Sequence, residues 1–187
     1  MQQTCEPLGG DPGSEVASKY EVDLAASLKA SEIAFKWQET GGIPRLPYHS
    51  LYGVTKWADP DFYLEVSGLS VEVKGSMTLH QVTKMLFLCA QPGARYYVYQ
   101  ASEEDWDPTL DSFVSVLPAP DSSKVAARRA FNLDVQRREL IFLARHPEET
   151  ARAASVTARR LRHYVNFFEA NLVRSTGMGL LGGEQGE

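Results

Sequence analysis

Ala58-Asp59-Pro60-Asp61-Phe62-Tyr63-Leu64-Glu65-Val66-Ser67-Gly68-Leu69-Ser70-Val71-Glu72-Val73-Lys74-Gly75 is the stretch that decides the fold of this 187-residue chain. β-Branched and aromatic residues flank a Ser67-Gly68 dipeptide, the pattern of two short strands around a tight turn. A two-residue hairpin loop pairs Val66 with Leu69, which sets Tyr63 opposite Glu72 and Asp61 opposite Lys74. Strand side chains alternate between faces, so Asp61, Tyr63, Glu72 and Lys74 share one face and Phe62, Leu64, Val71 and Val73 the other. The second set is apolar and is the expected core side. The first gathers two carboxylates and one ammonium, the residue types of a metal and catalytic site. A loop of odd length would turn Asp61 to the wrong face and dissolve that site.

The flanking sequence predicts helix before the hairpin and a crossover after it. Val16/Ala17, Tyr20, Leu24 and Leu28 recur at helical spacing, so a helix capped by Ser14 or Ser18 is expected to reach about Ala30, with Glu21 at the edge of its buried stripe. Alternating Ile33, Phe35 and Trp37 suggest a first strand. Residues 39–57, with Gly41-Gly42, Pro44 and Pro47, are expected to form a loop or irregular excursion in which Tyr48, His49, Tyr52, Lys56 and Trp57 line a groove or pack the loop down. Beyond the hairpin, Ser76 or Thr78 can cap a helix to about Ala90, with Leu79, Val82, Met85/Leu86 and Cys89 inward and Pro92-Gly93 as the stop. Arg95 to Gln100 reads as a strand, and strand–helix–strand order implies parallel pairing. Ser112 to Leu117 is a further strand candidate. Two helices follow, roughly Ser123 to Arg145 and Pro147 to Val173, the second with apolar Ala154, Leu161, Tyr164/Val165, Phe168 and Leu172 on one face. The expected organisation is a flexible lead-in over 1–14, an α/β core over 15–120, a basic helical extension over 121–174 and a flexible tail over 175–187.

A hydrophobic fraction of 43% and an aromatic fraction of 10% suffice for a real core. No apolar run approaches the roughly 18–20 residues of a membrane span, and the N-terminus lacks the pattern of a signal peptide. Cys5 and Cys89 alone do not make a disulfide framework or a cysteine zinc site, so an intracellular protein is expected, in the host cytoplasm if the source is a phage. The net charge of −5 hides an asymmetry: residues 1–122 balance to −9 and residues 123–174 to +6. An acidic half joined to a basic helical half suits a metal site fed by a polyanion, and equally suits two ordinary solvated surfaces. The four histidines, His49, His80, His146 and His163, show no metal spacing.

Pro60-Asp61, ten residues, then Glu72-Val73-Lys74 resembles the signature of the PD-(D/E)XK nuclease superfamily. The upstream helix bearing Glu21 and the downstream helix–strand pair are similar to that family's restriction-endonuclease-like αβββαβ core with its mixed central sheet, over roughly residues 18–100. The resemblance implies a Mg²⁺- or Mn²⁺-dependent phosphodiesterase acting on nucleic acid, DNA foremost. Asp61, Glu72 and the Val73 backbone carbonyl would bind the ion, Glu21 would add a further acid, and Lys74 would orient or deprotonate water or stabilise transition-state charge. Hard divalent cations take such oxygen ligands. A lysine beside two carboxylates is held protonated, which weakens its role as a base. Strand parity and the Pro-Asp order prefer Asp61 over Asp59. Gln81 and Lys84 are candidates to touch a phosphate, as are Arg128, Arg129, Arg137, Arg138, Arg159, Arg160 and Arg162 on the basic helices. Those helices suit a homo-oligomer or protein partner as well, and a catalytically inactive nucleic-acid-binding or assembly protein is the competing expectation.

Overall fold

In the computed structural model, which describes residues 14–38, 41–50, 52–101, 112–114 and 125–180, the chain runs Ser14–Ala30 (α1), Phe35–Trp37 (β1), Leu46–His49 (β2), Thr55–Ala58 (β3), Phe62–Leu64 (β4), Leu69–Lys74 (β5), Leu79–Cys89 (α2), Tyr96–Gln100 (β6), Val125–Arg145 (α3), a 3₁₀ turn at Pro147–Glu149 and Thr150–Leu180 (α4). The main sheet has the order β1-β4-β5-β6, antiparallel except for the β5–β6 pair, which is parallel. β2 and β3 form a separate two-stranded sheet.

The central hairpin forms with a longer turn than the dipeptide suggested. Phe62 pairs with Val71, Tyr63 with Ser70 and Leu64 with Leu69, leaving residues 65–68 as a four-residue loop. Gly68 closes it at φ +66°, donating to the Leu64 carbonyl at 2.8 Å, a left-handed conformation for which glycine is suited. The register therefore differs by two residues from the one expected. Because side-chain orientation repeats every two residues, no face changes. Continuing the observed register places Asp61 opposite Glu72 rather than Lys74.

Each face of the sheet is covered by two helices. Phe62, Leu64, Val71 and Val73 pack with Leu24 and Leu28 of α1 and Leu140 and Leu143 of α3, and burial of each such side chain contributes about 1.5–3 kcal/mol. On the opposite face Tyr96 and Val98 pack with Val82, Met85 and Leu88 of α2 and Leu161 and Tyr164 of α4. Thr78 opens α2 through a capping box: Gln81 N–H donates to Thr78 Oγ1 at 3.3 Å, and Thr78 N–H donates to Gln81 Oε1 at 2.8 Å.

The segment expected as a loop over 39–57 contains the β2–β3 hairpin instead. Its Leu46↔Ala58, Pro47↔Trp57, Tyr48↔Lys56 and His49↔Thr55 register explains how two prolines are tolerated. Ser50 N–H donates to the Val54 carbonyl, so by alternation Pro47 and Trp57 fall at a non-hydrogen-bonded pair, where a missing N–H costs nothing. Tyr48 and Ala58 turn inward and join the core beneath α2.

The helices of the C-terminal third are part of the core rather than an appendage. Gln136 of α3 uses its side-chain amide as a substitute strand against the open edge of β6: Gln100 N–H donates to Gln136 Oε1 at 2.7 Å, and Gln136 Nε2 donates to the Gln100 carbonyl at 2.8 Å. Beside it Arg160 of α4 is 1% exposed and donates to Glu139 Oε1 at 2.5 Å and to the Tyr97 hydroxyl at 2.9 Å, while that hydroxyl donates to Glu139 Oε2. Arg160 is thus interior, a correction to its expected place on a phosphate-binding surface. α4 also extends past Val173 to Leu180, into the segment expected to be a flexible tail. Ser112 to Val114 are not strand, and the rest of that strand candidate, the lead-in before Ser14 and the tail beyond Leu180 lie outside the described residues. Among the described residues no helix is long and apolar enough to cross a membrane.

Candidate functional site

Glu72 sits in the middle of β5 on the face that α2 covers and is 3% exposed. Its Oε1 lies 2.8 Å from Lys74 Nζ, two residues along the same strand face, and 3.7 Å from Lys84 Nζ, which reaches down from α2. Its Oε2 is buried and has no hydrogen-bond partner. The nearby Tyr96 hydroxyl is likewise buried without a partner of acceptable geometry. Burial first, then the charge of Glu72, push that phenol well above its ordinary pKa, so it is a neutral group beside the carboxylate. The Tyr96 hydroxyl interacts only weakly with Glu72, so the buried Oε2 carries a desolvation penalty that a closer partner would relieve.

Asp61 lies in the bend just before β4. Its Oδ2 accepts the Val73 backbone N–H at 2.6 Å, filling the place where a longer β4 would have offered a backbone carbonyl. In an extended strand the N–H and C=O of one residue point to the same edge, so the Val73 carbonyl is directed toward Asp61 as well. Burial, followed by the charge of Glu72, pushes the Asp61 carboxyl from 3.8 up to about 6, against the Val73 hydrogen bond and Lys74, which pull it down. For Lys74, burial favours loss of the proton, but the charge and hydrogen bond of Glu72, supported by Asp61 and Glu21, outweigh it and raise the pKa above the ordinary lysine value. Lys74 is therefore held as an ammonium.

Glu21 arrives from α1 at the end of the sheet, close enough to act electrostatically on both Asp61 and Lys74. Its Oε2 accepts the Trp37 indole N–H at 3.1 Å, so one of its oxygens is already engaged. Among the described residues no three Asp, Glu, His or Cys side chains converge as a ready-made metal cage. The oxygens on offer are those of the Asp61–Glu72 pair and the Val73 carbonyl. These are hard donors of the kind a divalent cation takes, and the orphaned Glu72 Oε2 is the atom that most needs one. Asp59 is elsewhere: it forms a two-pronged, exposed ion pair with Arg45, at 2.6 and 3.2 Å.

The other candidates scatter. Gln81 is committed to the α2 cap. Arg129 donates to the Ala101 carbonyl at 2.8 Å and lies 5.1 Å over the Tyr20 ring, which itself touches Gly75, so it stands near the Lys74 end of β5. Arg128 and Arg137 are partly buried, Arg138 pairs with Asp134 at 3.0 Å, and Arg159 and Arg162 are exposed on α4. Two neighbours of the acids escaped sequence reasoning, Tyr96 and the Trp37 indole. Tyr96 was accessible in principle: parallel pairing of β5 with β6 brings it to Glu72's face, opposite Ser70.

No protein-family model, curated protein or solved structure matches this chain.

Proposed function

We propose that the chain is a metal-dependent nuclease, hydrolysing phosphodiester bonds of nucleic acid, most simply DNA, on a restriction-endonuclease-like core. One observation carries this reading: Asp61 lies close enough to Glu72 to feel its charge, with Lys74 2.8 Å from Glu72 and Glu72 Oε2 buried without a well-aligned hydrogen bond. The Pro60-Asp61…Glu72-Val73-Lys74 resemblance supports it, as does the order α1, β1, β4, β5, α2, β6 around a mixed sheet.

Asp61, Glu72 and the Val73 carbonyl would hold Mg²⁺ or Mn²⁺, with Glu21 behind them. Such an ion would neutralise charge on the phosphoryl oxygens and acidify water. Lys74, kept protonated by Glu72, contributes as a cation that orients water or stabilises the charge-laden transition state, not as a general base. Lys84, aimed at the same carboxylate from α2, places a second positive group on that side of the site. Asp61, with its pKa raised to about 6, ionises near neutrality, so occupancy by a cation is expected to strengthen as pH rises through 6.

A second reading, a nucleic-acid-binding or assembly protein without turnover, draws on the same geometry: two ammonium groups already answer Glu72 Oε1, and no third acid completes a cage. A panel of labelled single-stranded, duplex, flap and junction DNA, plus RNA, incubated with Mg²⁺ or Mn²⁺, separates the two. The nuclease reading expects cleavage that disappears in Asp61→Ala, Glu72→Ala and Lys74→Ala. Salt-sensitive binding with no cleavage of any substrate favours the alternative, and full activity in Asp61→Asn sinks the assignment.

A further inference from the structure

Exposed aromatic surface concentrates on the β2–β3 hairpin, which the site does not use. Trp57 is 55% exposed, Tyr52 91% and Val54 56%. The hairpin is not loosely hung: Tyr48 and Ala58 anchor it in the core under α2, and the Arg45–Asp59 pair ties its two ends together. Strand alternation puts Pro47, His49, Thr55 and Trp57 on its outer face, all exposed, with Trp57 directly across from Pro47. The charge is as selective as the aromatics. Residues 41–58 contain two basic side chains, Arg45 and Lys56, and no acid, in a chain whose net charge is −5. Lys56 is exposed and has no ion pair among the described residues.

Position ties this surface to the acids. Trp57 precedes Asp61 by four residues, a span of at most about 14 Å. The base of the hairpin also walls a cleft of about 410 Å³, with Pro44, Leu46 and Pro47 on one side and Tyr63, Ser70 and Tyr96 on its floor. Tyr63 and Ser70 form the cross-strand pair one register step from Phe62–Val71, and they lie on the sheet face that bears Glu72. Pro47 lines the cleft and pairs with Trp57, so the outer face of the hairpin continues into the cleft, whose lining shares the Glu72 face of the sheet without including Asp61 or Glu72.

We infer that the β2–β3 hairpin is a stacking platform for unpaired nucleobases, with Trp57 as the principal ring, which directs an unpaired strand along the cleft toward Asp61 and Glu72. The inference rests on the nucleic-acid reading above and narrows its substrate class to single strands or frayed ends. An exposed indole on an anchored element whose adjoining acid, Asp59, is paired with Arg45 offers a base what stacking needs: a flat π-surface, held in place, with Lys56 adjacent in sequence for the backbone. Paired bases present only their edges and cannot use it. A protein partner would also accept aromatics; the net positive charge of residues 41–59 in an acidic chain favours a polyanion.

Fluorescence anisotropy with labelled oligo-dT, oligo-U and duplex DNA of about 20 nucleotides, in EDTA at low salt, tests this on the full chain. Trp57→Ala is expected to weaken binding of the unpaired strand by about 5- to 150-fold, the range for losing one stacked base, and binding of the duplex by less than about twofold. Trp57→Phe is expected to retain most of the affinity. Equal weakening on single strand and duplex, no weakening at all, or a Trp57-dependent dimer in sedimentation with no nucleic-acid binding overturns the inference. The two readings fail separately. Trp57-dependent binding of oligo-dT without cleavage in Mg²⁺ or Mn²⁺ upholds the platform and removes the nuclease; cleavage of single strands at wild-type rate and affinity by Trp57→Ala removes the platform alone.

Discussion

Asp61→Asn isolates the electrostatics of the site from any turnover. Folding raises the Asp61 carboxyl from 3.8 to about 6, by burial first and by Glu72 second. A carboxyl with a raised pKa binds its proton more tightly in the folded state. Its stabilising contribution is therefore complete below pH 3.8 and is lost as pH rises through 6. Two pH units correspond to about 3 kcal/mol, the ceiling on what ionised Asp61 costs the metal-free protein at about pH 8. Asparagine removes the repulsion from Glu72 and still accepts the Val73 N–H, though it gives up the charge-assisted part of that bond, about 1 kcal/mol. The variant is thus expected to be about 1–2 kcal/mol more stable than wild type at about pH 8 in EDTA, equivalent to a Tm higher by about 2–8 °C for a chain of this size. Its advantage should shrink steadily as pH falls toward 4. Urea unfolding across that pH range, followed by circular dichroism, measures both quantities. A variant less stable at pH 8, or an advantage that does not change with pH, would refute the reasoning.

Three further outcomes follow from the packing and the site. Arg160→Met leaves Glu139 as an uncompensated buried charge and should cost about 3–5 kcal/mol in urea unfolding, while Arg160→Met combined with Glu139→Met should recover much of the loss. Gln136→Leu strips partners from both the N–H and the C=O of Gln100 and should cost about 2–4 kcal/mol, with faster amide exchange at Gln100 as its local signature. Lys74→Met removes the closest cation from the buried Glu72 and leaves only Lys84, 3.7 Å away, so it should cost about 1–3 kcal/mol in urea unfolding at about pH 7.

Much of this architecture is legible in the sequence because period-2 and period-3.6 patterns report faces, and faces are what the site depends on. The central hairpin shows how that works. Its turn has four residues where Ser67-Gly68 suggested two, yet both lengths are even, so the parity of the strand is kept and the Glu72 charge acts on Asp61. The Thr78–Gln81 box and the parallel β5–β6 pair are equally local signals. What is not legible depends on partners distant in sequence. β2 and β3 lack strong alternation because Pro47 and Gly53 punctuate them, and only docking of Tyr48 and Ala58 under α2 gives them a reason to pair. Arg160 reads as one more basic residue of a surface helix. Its offset is the clue: it falls among buried Val156, Thr157, Leu161 and Tyr164, just as Glu139 falls among Val135, Gln136, Leu140 and Leu143. Opposite charges in two apolar stripes are the pattern of a buried pair, and the glutamate that satisfies Arg160 lies 21 residues away.

The claim on which the nuclease reading depends is that Asp61 and Glu72 share one cation. Isothermal titration of Mn²⁺ into wild type, Asp61→Asn and Glu72→Gln at about pH 8 tests it directly. The account predicts a binding site in wild type that weakens by at least about tenfold in each variant, with both variants folded by circular dichroism. Unchanged Mn²⁺ affinity in the two folded variants, or no binding by wild type, would contradict it.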